Sequence, residues 1–285
     1  MKNSYPKKVY LNGDILEPES AKISVFDRGF LFGDGIYEVM AQINGHFFYE
    51  KAHIKRLEDG LRKINIEFST SLLRTEIPKI LKASDLVDKD CLLYIQVTRG
   101  VAPRQHAYPK DIQPTFMMYA TPKILPEINS IKATVVTSED FRWSRCDIKM
   151  ISLLGNVMAN EYAIQKKCFE NVLIRNGVVT EASHCNVFFV KNSVVYTHPA
   201  DTYILDGITR QIVLELCVKL GIEVREVGVT EEDMLEMDEA FLTGTSTQIA
   251  SIQQWDDYFF YHDNEVGEIT QKLQLAFRNL KYNLG

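Results

Sequence analysis

Long apolar runs are missing from this sequence. No stretch approaches the roughly 18 consecutive apolar residues that a membrane-spanning helix needs, so a membrane is not an expected partner. The first residues, MKNSYPKKVYLNG, include several lysines, but no apolar stretch follows them, which predicts that a secretory signal peptide is absent. Both observations argue against the secreted and membrane-embedded classes and favour a soluble globular protein.

Cysteine pairs and metal-binding motifs are missing as well. The five cysteines lie far apart with no CxxC pair, a usage typical of the reducing cytoplasm. The six histidines form no HxH or HExxH pattern. The sequence therefore predicts a cytoplasmic protein without a metal site.

An excess of basic residues is the third absence. The chain has 32 Lys and Arg residues against 38 Asp and Glu residues, and the basic residues are scattered along it. A nucleic-acid-binding protein needs a basic patch to neutralise phosphates, so no nucleic-acid partner is expected. What is present is a chain of 285 residues, 46% of them hydrophobic, which is enough to bury a sizeable core in one large domain or two modest ones.

Turn and helix signals alternate along the chain. Asn-Gly pairs at residues 12–13 and 44–45 predict tight hairpin turns, because both central residues of such turns adopt positive φ. Apolar residues at helical spacing predict helices over 51–64 and 153–167. A further helix is predicted to end at Gly221, since glycine readily takes the left-handed conformation that ends a helix.

A candidate linker divides the chain. Residues 122–129, PKILPEIN, carry two prolines and no periodicity. Strand and helix signals occur on both sides, which predicts two α+β domains at 1–121 and 130–285. Within the second domain, Thr230 precedes an acidic helical pattern and is predicted to cap that helix.

Two stretches have the residue types of an anion site. Gly207, Ile208 and Thr209 open a predicted helix, whose unpaired N–H groups and dipole attract a phosphate. Residues 243–247, TGTST, place hydroxyl groups in a turn after a strand. An ordinary helix start and an ordinary polar turn are the competing interpretations.

Lys149 and Glu181 are candidates for acid–base chemistry. Lys149 lies among Ile148, Met150 and Ile151, and an apolar environment favours a neutral, nucleophilic amine. The alternative is that its ammonium group extends to solvent. Glu181 ends a predicted strand and is either a surface carboxylate or a buried partner for a cationic ring.

Arg104 and His106 form the third candidate. They lie two residues apart in VAPRQHAYP, and side chains at this spacing in an extended segment point the same way. A guanidinium and an imidazole pointing together can bind a carboxylate. The alternative is a solvated loop.

Six blocks, in this order, resemble the class IV pyridoxal-phosphate-dependent aminotransferases, and D-amino acid aminotransferases most of all. The blocks are FDRGFLFGDGIYE (26–38), HIKRL (53–57), CDIKMISLLGN (146–156), VTEASHCNVF (179–188), GITR (207–210) and FLTGTSTQI (241–249). The resemblance implies an α+β fold of type IV, with a smaller N-terminal α/β sandwich and a larger C-terminal pseudo-barrel.

The resemblance also implies a cofactor, pyridoxal 5'-phosphate, and its contacts. Lys149 is implied as the catalytic lysine that forms a Schiff base with the cofactor and then moves the substrate proton. Glu181 is implied to pair with the pyridine nitrogen. The remaining implied contacts hold the phosphate or pack on the ring: Arg56, Ile208, Thr209, Thr245 and Leu205.

The implied function is transamination between D-amino acids, such as D-alanine or D-glutamate, and 2-oxo acids. Tyr37, Arg104 and His106 are implied to bind the substrate α-carboxylate. The segment carrying Arg104 and His106 is expected to come from the other subunit of a homodimer, which puts the active site at the subunit interface.

Three alternatives stay open at this point. Aminodeoxychorismate lyases share the fold, the lysine and the cofactor, while branched-chain L-aminotransferases bind the opposite enantiomer. The Arg-x-His pair favours the D-transaminase over both. A scaffold without activity is disfavoured because Lys149, Glu181 and Arg56 are all present.

A run of four residues and one further residue depart from the pattern of similar D-specific enzymes. Ala182-Ser183-His184-Cys185 stands where those enzymes have a serine-rich run, and Gly244 stands where a hydroxyl residue is frequent. Arg28 and Arg142 receive no role, although Arg28 is a candidate for a structural ion pair with an acidic neighbour.

Overall fold

The computed structural model describes residues 5–262 and 265–282, which divide into two compact units. The first extends to Ile124 and includes the short segment Ile148–Ser152, while Leu125–Asp147 and the residues from Leu153 onward form the second. The predicted contiguous domains, 1–121 and 130–285, and the linker 122–129 stay a prediction. Their outer ends, 1–4 and 283–285, lie outside the described residues.

The first unit contains an antiparallel sheet that has six strands within the described residues. The strands are β1 (Val9–Leu11), β2 (Asp14–Leu16), β3 (Gly35–Ile43), β4 (His46–Phe47), β5 (Cys91–Thr98) and β6 (Thr115–Pro122), in the order β2-β1-β6-β5-β3-β4. The helices are α1 (Arg28–Phe32), α2 (Glu50–Lys63) and α3 (Leu73–Ala83).

Local sequence explains these elements. Asn12 and Asn44 start the predicted hairpin turns with φ of 51° and 49°, and a glycine follows each with positive φ, which confirms both turns. Helix α2 spans nearly the residues predicted for it. Its Leu57 and Leu61, one turn apart, lie in a buried cluster with residues of the sheet and α3.

Segment Ile148–Ser152 pairs with the start of β3. The backbone N–H of Tyr37 donates to the carbonyl of Lys149 at 3.0 Å, and a bridge joins Ile36 to Met150. Ile148 and Met150 are buried in the core of the first unit. Because side chains alternate along an extended segment, Lys149 points away from that core.

The second unit contains a mixed sheet that has nine strands within residues 125–262 of the described chain. They are β7 (Lys132–Glu139), β8 (Glu170–Arg175), β9 (Val178–Ala182), β10 (Asn186–Lys191), β11 (Val194–Thr197), β12 (Val224–Glu226), β13 (Glu239–Gly244), β14 (Gln248–Trp255) and β15 (Tyr258–Phe259). Their order is β12-β11-β10-β13-β14-β7-β8-β9, with β15 paired to β14. Because β9 also approaches β10, the sheet is curled.

The helices of the second unit are α4 (Leu154–Gln165), α5 (Ile208–Leu220), α6 (Glu231–Met234) and α7 (Glu268–Tyr282). Helix α5 ends at Gly221, whose φ is 68°, and Thr230 caps α6 by accepting a hydrogen bond from the N–H of Asp233. Both predicted signals are confirmed. None of the helices within the described residues combines the length and apolar composition that crossing a bilayer requires.

Candidate active site

Lys149 lies against an aromatic column. Its Nζ is 4.2 Å from the ring centre of Tyr37. The Tyr37 ring stacks on Tyr94 at 5.7 Å, and Tyr94 stacks on Tyr119 at 5.0 Å. Burial raises the pKa values of Tyr94 and Tyr119 above their usual range, so these two rings stay neutral, and their stacking supports the plane of the Tyr37 ring. An amine and a phenol are therefore held next to each other on the first unit.

Arg56 is oriented by a buried carboxylate. Glu38 follows Tyr37 on β3 and accepts hydrogen bonds from Arg56 Nε at 2.9 Å and Nη2 at 2.7 Å. His53 Nδ1 lies 2.9 Å from the same carboxylate. Burial raises the pKa of Glu38, but the Arg56 charge and the hydrogen bonds outweigh it and hold this pKa well below its usual range. This pairing sets the direction of the guanidinium.

Arg104 and His106 converge on Phe32. Both are exposed, and both approach this ring, with the Arg104 Cζ 5.2 Å from its centre and the His106 ring centre 5.7 Å away. Arg28, at the start of α1, also stacks on Phe32 at 4.8 Å. The two side chains that the spacing predicted to point together do meet on one ring.

Glu181 is a buried carboxylate in the second unit. Its Oε1 accepts from Arg142 Nη1 at 2.5 Å, and its Oε2 accepts from Leu205 N and Asn186 Nδ2, each at 3.1 Å. Burial raises the pKa of Glu181 to about 7, because desolvation outweighs the opposing charge of Arg142. Of the two interpretations open for Glu181, the surface carboxylate is therefore wrong.

Arg142 is a functional candidate that the sequence did not reveal. Besides Glu181, it binds Asp140 through Nε and Nη2, each at 2.9 Å. Burial lowers the pKa of Arg142, but these two carboxylates outweigh it and hold the pKa above its usual range. The one local signal was the acidic residue two positions earlier. Arg142 therefore carries a permanent charge next to Glu181.

The start of α5 leaves backbone N–H groups that an anion can approach closely. Gly207 precedes the helix without a side-chain hydrogen bond to cap it, so N–H groups of the first turn are available to an anion. A Cβ on Gly207 would lie 2.2 Å from Oδ1 of Asn186, which explains the glycine. Asn186 also donates to the carbonyl of Leu205 at 2.8 Å. Asn186 therefore joins Glu181, Leu205 and the helix start.

The turn that carries Thr245 contacts Cys185. The Cys185 Sγ lies 3.3 Å from Thr247 Oγ1, and a Cβ on Gly244 would lie 3.3 Å from the same sulfur. The two departures noted in the sequence, Cys185 and Gly244, are therefore neighbours. The absence of a side chain at 244 leaves room for the sulfur.

Ligand atoms of Glu170, His184 and Cys185 lie within 4.8 Å of one another, a grouping that motif spacing did not predict. The His184 Nδ1 is 2.7 Å from Glu170 Oε2, and Ser183 N donates to Oε1 at 3.2 Å. Glu170 Oε1 also accepts from Asn171 N at 2.9 Å, so the Glu170 carboxylate helps to hold the turn after β9 in place.

The site residues predicted from the sequence divide between the units. The first unit carries Lys149, Tyr37, Arg56, Arg104 and His106, and the second carries Glu181, Leu205, Ile208, Thr209 and Thr245. Ile208 and Thr209 are buried, while Leu205 and Thr245 are half-buried. Their individual roles stay predictions.

Comparisons with known proteins agree on one family. The family model for amino-transferase class IV matches residues 35–255. The D-alanine aminotransferase of Bacillus licheniformis is 40% identical over 279 residues, covering 95% of this chain and 96% of the relative. That of Listeria monocytogenes is 39% identical over 276 residues, covering 95% and 94%.

Solved structures show the same fold. The branched-chain amino acid aminotransferase of Escherichia coli superimposes with a TM-score of 0.88 at 22% identity, covering 96% of this chain and 94% of that one. The enzyme of Thermoproteus uzoniensis gives 0.84 at 24% identity, with the same coverage. The predicted α+β two-domain fold class is confirmed.

Proposed function

The chain belongs to the class IV aminotransferases, and from this premise we propose that it transfers amino groups between D-amino acids, such as D-alanine or D-glutamate, and 2-oxo acids. The observation that carries the proposal is the similarity to D-alanine aminotransferases along 95% of the chain. We propose pyridoxal 5'-phosphate as the cofactor and a homodimer as the working form.

The donor set fits this cofactor. Lys149 supplies an amine for its aldehyde group, and buried Glu181 supplies a carboxylate for its ring nitrogen. Arg56 and the uncapped start of α5 supply a guanidinium and backbone N–H groups for its phosphate. Thr245 adds a hydroxyl to the phosphate contacts, and Leu205 packs on the ring.

When bound, the cofactor supplies an electron-withdrawing ring that stabilises negative charge on the substrate Cα. Lys149 Nζ would take the proton from the substrate Cα and then donate it to the cofactor carbon that had carried the aldehyde group. Glu181 holds a proton at the ring nitrogen through its carboxylate. The donors from Arg142, Asn186 and the Leu205 N–H fix that carboxylate in place.

Substrate orientation falls to Tyr37, Arg104 and His106, which bind the α-carboxylate. Tyr37 lies next to Lys149, so a carboxylate held by Tyr37 brings the neighbouring Cα towards the amine. In the proposed homodimer, Arg104 and His106 of one subunit serve the lysine of the other. The cytoplasmic location expected from the cysteines belongs to the same proposal, and these five cysteines are unpaired.

The test is a set of single-turnover half-reactions. The cofactor-loaded protein is mixed separately with D-alanine, L-leucine and aminodeoxychorismate, and the cofactor absorbance and the released acid are followed. We expect that, of the three compounds, only D-alanine changes the cofactor absorbance, and that it releases about one pyruvate per active site. Pyruvate from aminodeoxychorismate would support the lyase instead, and reaction with L-leucine alone would support a branched-chain enzyme.

A further inference from the structure

The segment that carries Arg104 and His106 is attached through its backbone to Arg28. The guanidinium of Arg28 is buried, and its Nη1 donates to the carbonyl of Gln105 at 2.6 Å. Its Nη2 lies 3.4 Å from the carbonyl of His106 in hydrogen-bonding geometry. Hydrogen bonds from a charged donor are among the stronger ones in proteins. Arg28 therefore holds the backbone between the two carboxylate-binding candidates.

A shared carboxylate fixes Arg28 in turn. Asp34 Oδ2 accepts from Arg28 Nε at 2.7 Å and from Arg99 Nε at 2.8 Å. Arg99 also stacks on the ring of Tyr108, with its Cζ 3.6 Å from the ring centre. The Asp34 carboxylate is thus linked to the segment at two places, through Arg28 to Gln105 and through Arg99 to Tyr108. The ion pair that the sequence suggested for Arg28 is present, with Asp34 as its partner.

The start of α1 gives Arg28 a rigid base. Asp27 is fully buried, caps α1 by accepting from the Gly29 N–H at 2.8 Å, and accepts from the Thr115 hydroxyl at 2.6 Å. The Arg28 N–H itself donates to the carbonyl of Gly100 at 2.9 Å. The backbone at the base of the guanidinium is therefore tied to the sheet and to the strand end that precedes the segment.

Phe32 extends the same support to the side chains. Its ring contacts the guanidinium of Arg28 as well as the side chains of Arg104 and His106. The planar guanidinium of Arg28 stacks on the ring while its N–H groups bind carbonyl oxygens, and a lysine cannot do both.

We propose that Arg28 is a positioning residue, which through Gln105 and His106 backbone carbonyls holds Arg104 and His106 in the direction that binds the substrate α-carboxylate. This proposal rests on the proposed function in one respect, namely that Arg104 and His106 bind the substrate α-carboxylate. Arg28 itself touches neither substrate nor cofactor in this role. Its loss is therefore expected to weaken substrate binding and to leave cofactor binding unchanged.

The first experiment compares Arg28→Gln with a matched control, Arg62→Gln, in the cofactor-loaded protein. Arg62 is an exposed arginine of the same unit that pairs with Asp59 at 3.0 Å. We expect Arg28→Gln to raise the KM for D-alanine about tenfold or more, with a smaller change in kcat, because the hydrogen bonds to the segment are lost. We expect Arg62→Gln to change neither constant, and Arg28→Lys to restore part of the loss.

Hydrogen exchange supplies a readout that does not depend on turnover. Amides of residues 101–111 are expected to exchange faster in Arg28→Gln and at the wild-type rate in Arg62→Gln. If Arg28→Gln does not fold, Arg28→Lys is measured in the same way. Unchanged exchange in this segment would overturn the proposal even if D-alanine is a substrate, whereas faster exchange without D-alanine turnover would overturn the proposed function alone.

A double-mutant cycle separates positioning from general damage. If Arg28 acts through Arg104 and His106, the KM effect of Arg28→Gln shrinks once Arg104→Ala is present, and it falls to near unity when Arg104→Ala and His106→Ala are both present. An Arg28→Gln effect that persists in full when both Arg104→Ala and His106→Ala are present would show that Arg28 acts by another route, and the proposal would be wrong.

Discussion

Arg142 Nη1 donates a hydrogen bond of 2.5 Å to Glu181 Oε1, and both side chains are buried in the second unit. Burial raises the pKa of Glu181 to about 7 even with this guanidinium in contact. The carboxylate therefore lies near the point where it gains or loses a proton at neutral pH. A pyridinium nitrogen in contact with it would favour the ionised form.

The first prediction concerns stability of the cofactor-free protein. Between the ordinary glutamate pKa and about 7, the folded protein binds a proton on Glu181 that the unfolded chain does not bind. Stability from this group is therefore present below this window and lost as pH rises through it, by roughly 3 kcal/mol at most. Glu181→Gln is expected to lose this dependence. The free energy of unfolding of the variant, relative to that of the wild type, is therefore expected to rise between pH 5 and pH 8.

Urea unfolding at a series of pH values measures this difference. Glu67→Gln, which replaces an exposed glutamate of the first unit, is the control and is expected to follow the wild type. A constant difference between Glu181→Gln and the wild type from pH 5 to pH 8 would show that the pKa of Glu181 is not raised.

The second prediction concerns Lys149. Lys149→Ala is expected to fold, because the backbone pairing with Tyr37 survives and the lost contact with its ring is worth about 1 kcal/mol. The variant is expected to retain no cofactor covalently after borohydride treatment and denaturation, as read by mass spectrometry. Lys55→Ala, an exposed lysine of α2, is the control. Cofactor mass on Lys149→Ala would assign the amine to another lysine.

Local patterns predicted the elements that depend on neighbouring residues. The Asn-Gly turns, the end of α5 at Gly221 and the cap at Thr230 all depend on one or a few adjacent side chains, and all are confirmed. Helix α1 escaped notice because it has only five residues and no apolar period. Helix α7 was also missed, although its apolar residues recur at helical spacing.

Hydrogen-bond partners that lie far apart along the chain could not be predicted from the sequence. Arg28 bonds carbonyl oxygens 77 and 78 positions later, and Arg142 bonds Glu181 39 positions later. No spacing rule connects such pairs, since a backbone carbonyl leaves no mark in the sequence. The resemblance to known enzymes supplied candidates for chemistry but assigned no role to these two arginines, which act on other residues of the chain.

The third prediction tests the contact between Cys185 and Gly244. A methyl group added by Gly244→Ala would lie 3.3 Å from the Sγ of buried Cys185, which is closer than an ordinary van der Waals contact, so a loss of about 1 kcal/mol in the free energy of unfolding is expected. Removing the sulfur in Cys185→Ala is expected to relieve this crowding. The double variant is then more stable than the sum of the single effects predicts.

Free energies of unfolding for the wild type, both single variants and the double variant complete the cycle. A coupling of about 0.5 kcal/mol or more is expected for residues in contact. Additive effects would mean that the turn at 244 adapts independently of Cys185, and the pairing of these two departures would then have no structural meaning.

The last prediction tests whether the site is shared between subunits. Arg104→Ala removes a charged contact to the substrate carboxylate, which is expected to lower kcat/KM about 10- to 100-fold for every D-amino acid, since all of them carry this group. If Arg104 of one subunit completes the active site that contains Lys149 of the other, a mixed dimer has one complete site. In that site the Lys149→Ala subunit supplies Arg104 and the Arg104→Ala subunit supplies Lys149. Mixing the two impaired homodimers under subunit exchange is then expected to raise activity to about a quarter of the wild-type value, and up to about a half if mixed dimers dominate, because each mixed dimer has one complete site. Exchange is verified by native mass spectrometry of differently tagged subunits. Absence of recovery despite verified exchange would place Arg104 in the site of its own subunit, and unchanged kinetics of Arg104→Ala alone would remove the basis for a carboxylate-binding role.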